Sequence, residues 1–188
     1  RSLDEGRLNE IGEWVSGGGR LVLLANATRA FADKKGYSLK EFANEDARKQ
    51  SEKAEKESTE KEGPVKYAEA ERKELSESIF GAIYKISLDI SHPLAFGLGE
   101  NYYTLKTNEL HYAYLEGGWN VGIIKGKAKP LIGFAGYKAN KKLDNQLIFG
   151  VEDKGRGQVI YMADNPMFRC FWEDGKMLFS NAVFMVGQ

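Results

Sequence analysis

The chain has 188 residues, of which 27 are Lys or Arg and 27 are Asp or Glu, so its formal net charge is zero. A balanced charge argues against a nucleic-acid binder, which usually carries a basic excess. A single cysteine excludes an internal disulfide framework. No apolar run approaches the ~20 residues of a membrane span. These properties indicate one globular domain over residues 1–188, with no nucleic-acid partner and no membrane span.

The N-terminal segment predicts a helix, a glycine turn and a strand. Ser2 and Glu5 match a capping box, in which the two side chains close the first turn of a helix. One face of that helix is apolar, with Leu8, Ile11, Trp14 and Val15. The apolar run at 21–25 is typical of a central parallel strand buried on both faces. Because a helix precedes this strand, we expect one or more N-terminal strands to come from sequence before Arg1.

Residues 45–77 predict a charged insertion within the domain. Glu, Lys, Asp and Arg dominate this stretch, and large aliphatic side chains are almost absent. Such a composition buries too little apolar surface to offset the entropy lost on ordering. We therefore expect partial or complete disorder around residues 49–64. A solvated helix held by Glu–Lys pairs three or four residues apart is the alternative.

The second half of the chain predicts short strands and a C-terminal helix. Strands are expected at 81–89, 102–106, 109–115, 119–125 and 130–135, and the first has as core candidates Ile83, Ile86, Leu88 and Ile90. Residues 146–152 and 158–163 predict an antiparallel hairpin joined by 153–157. After the turn at 164–166, a long apolar helix is expected, with Gly175 as a potential break. Its apolar face comprises Phe168, Phe171, Trp172, Leu178, Phe179, Ala182, Val183 and Val186.

Few side chains offer catalytic chemistry. His92 and His111 lack a second ligand at metal-binding spacing, so no ordinary zinc site is predicted. We expect His92 to hydrogen-bond local backbone and His111 to lie along a strand. Cys170 is flanked by aromatic residues, which favours a buried, unreactive thiol. The glycines at 17–19 and 155–157 are turns, because neither group has the strand–loop–helix order of a phosphate site.

Four segments resemble a known family: residues 14–24, 91–99, 117–122 and 155–169. They are similar to the class I glutamine amidotransferase-like domain, in the version found at the C-terminus of some large bacterial zinc carboxypeptidases. The resemblance covers most of the chain outside the charged insertion. It implies an α/β fold with an open flavodoxin-like sheet and helices on both faces.

The resemblance also implies that the catalytic triad is absent. Active amidotransferases use Cys, His and Glu, whereas the aligned positions here hold Asn26, Asn165 and Met167. An amide cannot act as a thiolate or as a general base at neutral pH. The chain itself is therefore expected to be non-catalytic and without a cofactor. Zinc and peptidase activity would belong to a catalytic domain upstream of Arg1.

Two functions remain open at this point. The leading one is an accessory domain of a larger exported zinc carboxypeptidase, periplasmic or extracellular, with a cytoplasmic location left open. The peptidase domain would be its partner, and a residual pocket is expected at the strand ends, lined by Asn26, Thr28, Arg29, Asp164, Asn165 and Arg169. The alternative is an independent module that binds a glycan or cell-wall peptide through the aromatic residues Tyr102, Tyr103 and Trp119.

The two functions differ in expected behaviour. An isolated accessory domain should show an apolar patch, poor solubility or homodimer formation. A binding module should be monodisperse and should gain thermal stability when its ligand is added.

Overall fold

The computed structural model describes residues 3–42 and 67–187, which form a mixed α/β domain. The helices are α1 (Glu5–Ser16), α2 (Tyr67–Glu77), α3 (Tyr137–Lys141) and α4 (Glu173–Phe184). The strands are β1 (Arg20–Leu24), β2 (Ile79–Leu88), β3 (Asn101–Lys106), β4 (Trp119–Ile124), β5 (Pro130–Ala135), β6 (Gln146–Lys154) and β7 (Gly157–Met162). Three short 3₁₀ turns lie at Ala25–Ala30, Pro93–Ala95 and Phe168–Cys170.

The seven strands form one curled sheet in the order β1-β7-β6-β4-β2-β3, with β5 paired to β2 off this path. Among the described strands, β1 and β7 form the only parallel pair, and every other pairing is antiparallel. One edge of β2 is occupied by β3. The opposite edge is shared, because β5 pairs with the first half of β2 and β4 with Ser87 and Leu88 at its end.

Helices pack on both faces of the sheet, as expected. The side chains of β7 show this directly, because successive side chains of a strand point to opposite faces of the sheet. Val159 and Tyr161 join a core with Leu8 and Val15 of α1. Ile160 and Met162 face the other way, into a core that includes residues of α4 such as Leu178 and Ala182.

The hairpin of β6 and β7 confirms the prediction for residues 146–163. The strands pair antiparallel from Phe149 opposite Met162 to Lys154 opposite Gly157. Gly155 in the turn has φ +62, a conformation that glycine adopts without steric cost. A Cβ there would also lie 2.7 Å from the carbonyl oxygen of Ser16, so the turn packs tightly against the end of α1.

The central position predicted for the strand at 21–25 is wrong. β1 runs parallel to β7 as a strand should, but it lies at the edge of the described sheet and only Leu23 is buried. The strands buried on both faces are β6 and β7. An edge strand has one neighbour, so its side chains are covered less completely than those of a central strand.

Four further expectations are wrong. Residues 109–115 form no strand and pair only through an isolated bridge between Glu41 and Tyr112. Ile90 lies beyond the end of β2 and is 52% exposed. The C-terminal helix begins at Glu173 and not at the preceding turn, because Arg169 and Cys170 have positive φ. Gly175 does not break the helix. It packs against the Pro166 carbonyl so closely that a Cβ at position 175 would lie 2.0 Å from the carbonyl oxygen.

The N-terminal cap and the charged insertion are only partly described. Ser2 lies outside the described residues, and the observed cap is Asp4, whose carboxylate accepts the Arg7 N–H at 2.9 Å. Residues 45–66 of the predicted insertion also lie outside them. Residues 67–77 form α2, and its described side chains are mostly exposed.

The buried tyrosines predict a loss of stability above about pH 10. Burial, reinforced by the Asp164 carboxylate, raises the pKa of Tyr84 from 10.0 to about 12. Burial also raises the pKa of Tyr102 and Tyr161. The unfolded chain ionises from about pH 10 while the folded chain keeps these phenols neutral. Stability is therefore complete below pH 10 and falls towards pH 12, by about 1.4 kcal/mol per pH unit for each tyrosine.

Urea unfolding at several pH values, combined with tyrosinate absorbance, measures this effect. Tyr84→Phe should make the alkaline loss shallower, because one of the contributing phenols is removed. Titration of all tyrosines near pH 10 without unfolding would contradict the prediction.

Candidate functional site

The carboxylate that follows β7 lies in a closed, buried network. Asp164 is 1% exposed, and its two oxygens accept hydrogen bonds from Lys106 Nζ at 3.1 Å and from Thr104 Oγ1 at 2.7 Å. Lys106 is also fully buried and donates to Asn108 Oδ1 at 3.3 Å. Asn108 Nδ2 donates in turn to the Ala163 carbonyl at 3.2 Å. Both charges are thus paired and hydrogen-bonded, which is the condition under which proteins bury them.

The six residues predicted to line a residual pocket at the strand ends fall into two buried and four exposed ones. Asp164 is directed into the network with β3, and Thr28 is also buried, with its hydroxyl 2.6 Å from the Ala25 carbonyl and 2.7 Å from Tyr112 Oη. The other four predicted residues are exposed: Asn26, Arg29, Asn165 and Arg169. Within the described residues, no hydrogen bond or ion pair joins any two of the six.

The turn after β1 has an unusual backbone at Ala25. Its φ is +46, which is uncommon for a residue other than glycine. The chain passes there from strand directly into a 3₁₀ turn. Sharp strand-to-helix turns of this kind expose a nucleophile in several hydrolases. Here the strained position holds Ala25 and the next one holds Asn26, and neither side chain carries a nucleophile.

The three residues of the predicted aromatic patch do not form one surface. Tyr102 is 1% exposed, and its ring lies edge-on to Phe149 with centroids 5.4 Å apart. Tyr103 is 45% exposed and lies beside Trp172, whose indole N–H donates to the Tyr103 carbonyl at 2.8 Å. Trp119 is 54% exposed and lies beside His92. Tyr102 is buried and Tyr103 is exposed because neighbouring side chains of β3 point to opposite faces of the sheet.

The histidines and the cysteine differ in how well their environment was predicted. His92 Nδ1 accepts the Leu94 N–H at 3.0 Å, as expected for a residue bonded to local backbone. His111 lies outside any strand, with Nδ1 2.8 Å from the Glu109 carbonyl. Cys170 is exposed, so the expectation of a buried thiol is wrong. The φ of +56 at Cys170 belongs to an irregular turn, which directs the neighbouring Phe171 to solvent as well.

Two surfaces stand out that the sequence did not indicate. The first, the apolar edge, comprises Phe80, Leu131, Ile132, Phe134 and Tyr137, all between 48% and 71% exposed. The run Leu131-Ile132-Gly133-Phe134 is typical of a buried strand, so no local signal marked it as a surface. Only the pairing pattern shows that β5 lies outside the main path of the sheet.

The second surface, the acidic cleft, is a cavity of about 440 Å³. Its polar and aromatic lining residues are Asp89, Ser91, His92, Trp119, Asp153 and Gln158. They come from the end of β2, the start of β4 and the β6–β7 hairpin. Trp119 and Asp153 are 34 positions apart, so their proximity follows from the pairing of β4 with β6 and could not be seen in the sequence.

Across residues 3–42 and 67–187, no group of three or more His, Cys, Asp or Glu side chains could hold a metal ion. Of the helices in these ranges, none is long and apolar enough to cross a membrane.

No protein-family model matches the chain, and no curated protein matches it in sequence.

Cys170 is expected to react as an exposed thiol. Because it is the chain's single cysteine, a thiol-specific reagent should modify the native protein to one equivalent. The rate should lie within about tenfold of the rate in denaturant, since an exposed thiol with an ordinary environment has little protection. A native rate slower by several orders of magnitude would contradict the exposed position.

Loss of the buried lysine should destabilise the domain strongly. Lys106→Met leaves the Asp164 carboxylate buried without its counter-ion, which costs about 3–5 kcal/mol of unfolding free energy. Thr104→Val removes one neutral donor and should cost about 1–3 kcal/mol. Lys85→Met is the matched control, because Lys85 is exposed on β2 and its loss should change stability by less than about 0.5 kcal/mol. Denaturant unfolding of the three variants tests this order.

Proposed function

We propose that the chain is a non-catalytic accessory domain of a larger exported zinc carboxypeptidase, and that its apolar edge docks against the peptidase domain of the same polypeptide. The observation that carries the proposal is the exposure of the apolar edge. Ile132 is 67% exposed, Leu131 58% and Phe134 48%, and the rings of Phe80 and Phe134 lie 5.9 Å apart. Groups of exposed apolar side chains mark interaction sites in soluble proteins.

The geometry of β5 supports a docking role. Leu131 and Ile132 are neighbours in a strand and point to opposite faces, yet both are exposed, so no described element covers either face of β5 at these residues. Among the described strands β5 pairs only with β2, which leaves its second backbone edge open. An open, apolar edge strand is a template for association, and proteins that remain monomeric usually protect such edges.

The charges around the apolar edge indicate the chemistry of the partner surface. Lys127 and Lys129 are exposed immediately before β5. The partner surface is therefore an apolar patch with an acidic border, since complementary charge around an apolar centre sets orientation and register.

The residues at the strand ends support a non-catalytic role. Ala25 and Asn26 follow β1, and Asn165 and Met167 follow β7. None of these side chains is a nucleophile or a general base at neutral pH. Asp164, the one ionisable group directly after β7, is held by Lys106 and Thr104 and has no access to solvent. Peptide hydrolysis and zinc binding are assigned in this proposal to the upstream domain.

A flavodoxin-like sheet is part of the same proposal. The parallel pair of β1 and β7, with α1 and α4 on opposite faces, is the part of the domain that fits a flavodoxin-like sheet. In the proposal, further parallel strands from upstream sequence pair with the open edge of β1. The antiparallel strands β2 to β5 are then an elaboration beside this sheet.

The proposal is tested on the intact polypeptide by hydrogen exchange. The coding region upstream of Arg1 should encode a His-x-x-Glu motif followed by a distant His. In the intact protein, the amides of residues 131–134 should exchange at least about tenfold more slowly than in the isolated chain, because docking covers β5. Amides of the central hairpin β6–β7 should exchange equally slowly in both.

A pair of variants separates docking from general destabilisation. Ile132→Asp with Phe134→Asp should remove the added protection at β5 and leave the fold of the isolated chain intact, because both side chains are already exposed. Phe96→Asp is the control, since Phe96 is 62% exposed and lies outside the apolar edge. Equal exchange at β5 in the isolated chain and the intact protein would refute the docking role. An upstream region without the zinc motif would refute the peptidase assignment.

A further inference from the structure

The acidic cleft lies apart from the apolar edge. β5 pairs with the first half of β2, whereas the cleft begins at Asp89, directly after the last residue of β2. Its other walls come from the start of β4, from the β6–β7 hairpin and from Val186 and Gly187 after α4. An inference about the cleft is therefore independent of the docking role.

The charge of the cleft lining is negative. Asp89 and Asp153 are the only lining residues with a formal charge, and the lining contains no Lys or Arg. Hydrogen bonds from the Ser91 hydroxyl and amide lower the pKa of Asp89, so this carboxylate is ionised at neutral pH. Burial lowers the pKa of His92 below its usual 6.5 despite the opposing effect of the two carboxylates, so the ring is neutral. Among the described residues of the lining, two are therefore negatively charged and none is positively charged.

The free polar atoms of the cleft are mainly acceptors. Both hydrogen bonds from Ser91 go to Asp89 Oδ1, so Oδ2 has no protein partner within the described residues. Asp153 Oδ2 receives only a long hydrogen bond of 3.5 Å from Trp119 Nε1. Gln158 Nε2 donates to Asp153 Oδ1 at 2.8 Å, and its Oε1 is buried without a partner in the described chain. A ligand that complements this set supplies donors and positive charge.

An aromatic wall completes the cleft. The Trp119 indole is 54% exposed, and its centroid lies 6.1 Å from that of the His92 ring. His92 is held in place, because its Nδ1 accepts the Leu94 N–H. The indole is also oriented, by the contact of its N–H with Asp153. Tryptophan is the side chain whose face attracts cations most strongly, and two anionic groups beside it reinforce that preference.

From these observations we propose that the acidic cleft binds an alkylammonium group, with the cation against the Trp119 indole and between the carboxylates of Asp89 and Asp153. The open cavity of about 440 Å³ accommodates a small ligand or the amine-bearing end of a longer one. A neutral sugar is the competing class, because it also stacks on tryptophan. It would require donors and acceptors in comparable number, whereas the free donors of the described lining are the His92 Nε2–H and the second N–H of Gln158 Nε2.

The test uses choline and its neutral isostere, in which a tert-butyl group replaces the trimethylammonium group. The two probes have the same shape and differ in charge. Calorimetry and the NMR shift of the Trp119 indole should show choline binding at least about tenfold more tightly than the isostere. Binding should weaken as sodium chloride is raised, because the cleft carboxylates are screened.

Variants identify the contributing groups. Trp119→Ala should lower choline affinity about tenfold, and Asp153→Asn and Asp89→Asn about fivefold each. Trp14→Ala is the matched control, since Trp14 is 57% exposed on α1 and does not line the cleft, so affinity should be unchanged. Circular dichroism verifies that each variant is folded. If Trp119→Ala does not fold, the choline affinities of Asp153→Asn and Asp89→Asn alone test the proposal.

Three results would overturn the proposal. The first is equal affinity for choline and the isostere. The second is binding of N-acetylglucosamine that is stronger than that of choline and insensitive to Asp153→Asn, which would assign the cleft to a neutral sugar. The third is the absence of any indole shift at choline concentrations of about 0.1 M, well above the millimolar Kd of a weak single-group contact.

Discussion

The fold depends on one ion pair that closes a curled sheet. Between β7 and β3 lie the strands β6, β4 and β2, and in a flat sheet this would separate the two by about 19 Å. Lys106 on β3 nevertheless contacts Asp164 after β7 at 3.1 Å. The sheet must therefore wrap its apolar face inward, and the contact of Tyr102 with Phe149 lies inside this curl. The pair also fixes the register of β3, because a slip of one residue would turn Lys106 to the outer face.

This use of Asp164 explains why its carboxylate is not available to a ligand at the strand ends. Proteins with open α/β sheets place ligands beyond the carboxyl ends of their strands, where polar side chains remain free. Here the carboxylate at that position is needed to neutralise a buried lysine, and Thr28 is likewise held by Tyr112. A buried ion pair adds little net stability compared with an apolar pair, but breaking it is costly. The position therefore serves the specificity of the fold, and polar residues available to ligands lie elsewhere.

The sequence predicted what depends on neighbouring residues. The β6–β7 hairpin follows from strand patterns on either side of Gly155, and the backbone contact of His92 follows from its place beside Pro93. Features that depend on distant pairing could not be predicted. Lys106 and Asp164 are 58 positions apart, and nothing in the sequence around them indicates that they meet. The burial of Ile79 and exposure of Phe80 likewise reverse the alternation expected from the rest of β2, because a bulge at Gly81 shifts the register.

Both exposed surfaces arise from the shared edge of β2. Because β5 and β4 pair with different parts of the same edge, β5 lies off the main path of the sheet and most of its side chains are exposed. The close pairing of β5 requires glycine at its centre, since a Cβ on Gly133 would lie 2.2 Å from the Gly81 carbonyl. The same division brings the start of β4, with Trp119, beside the turn that follows β2. The cleft is anchored by β4, β6 and β7 and not by β5, so a partner bound at the apolar edge leaves the cleft open to its own ligand.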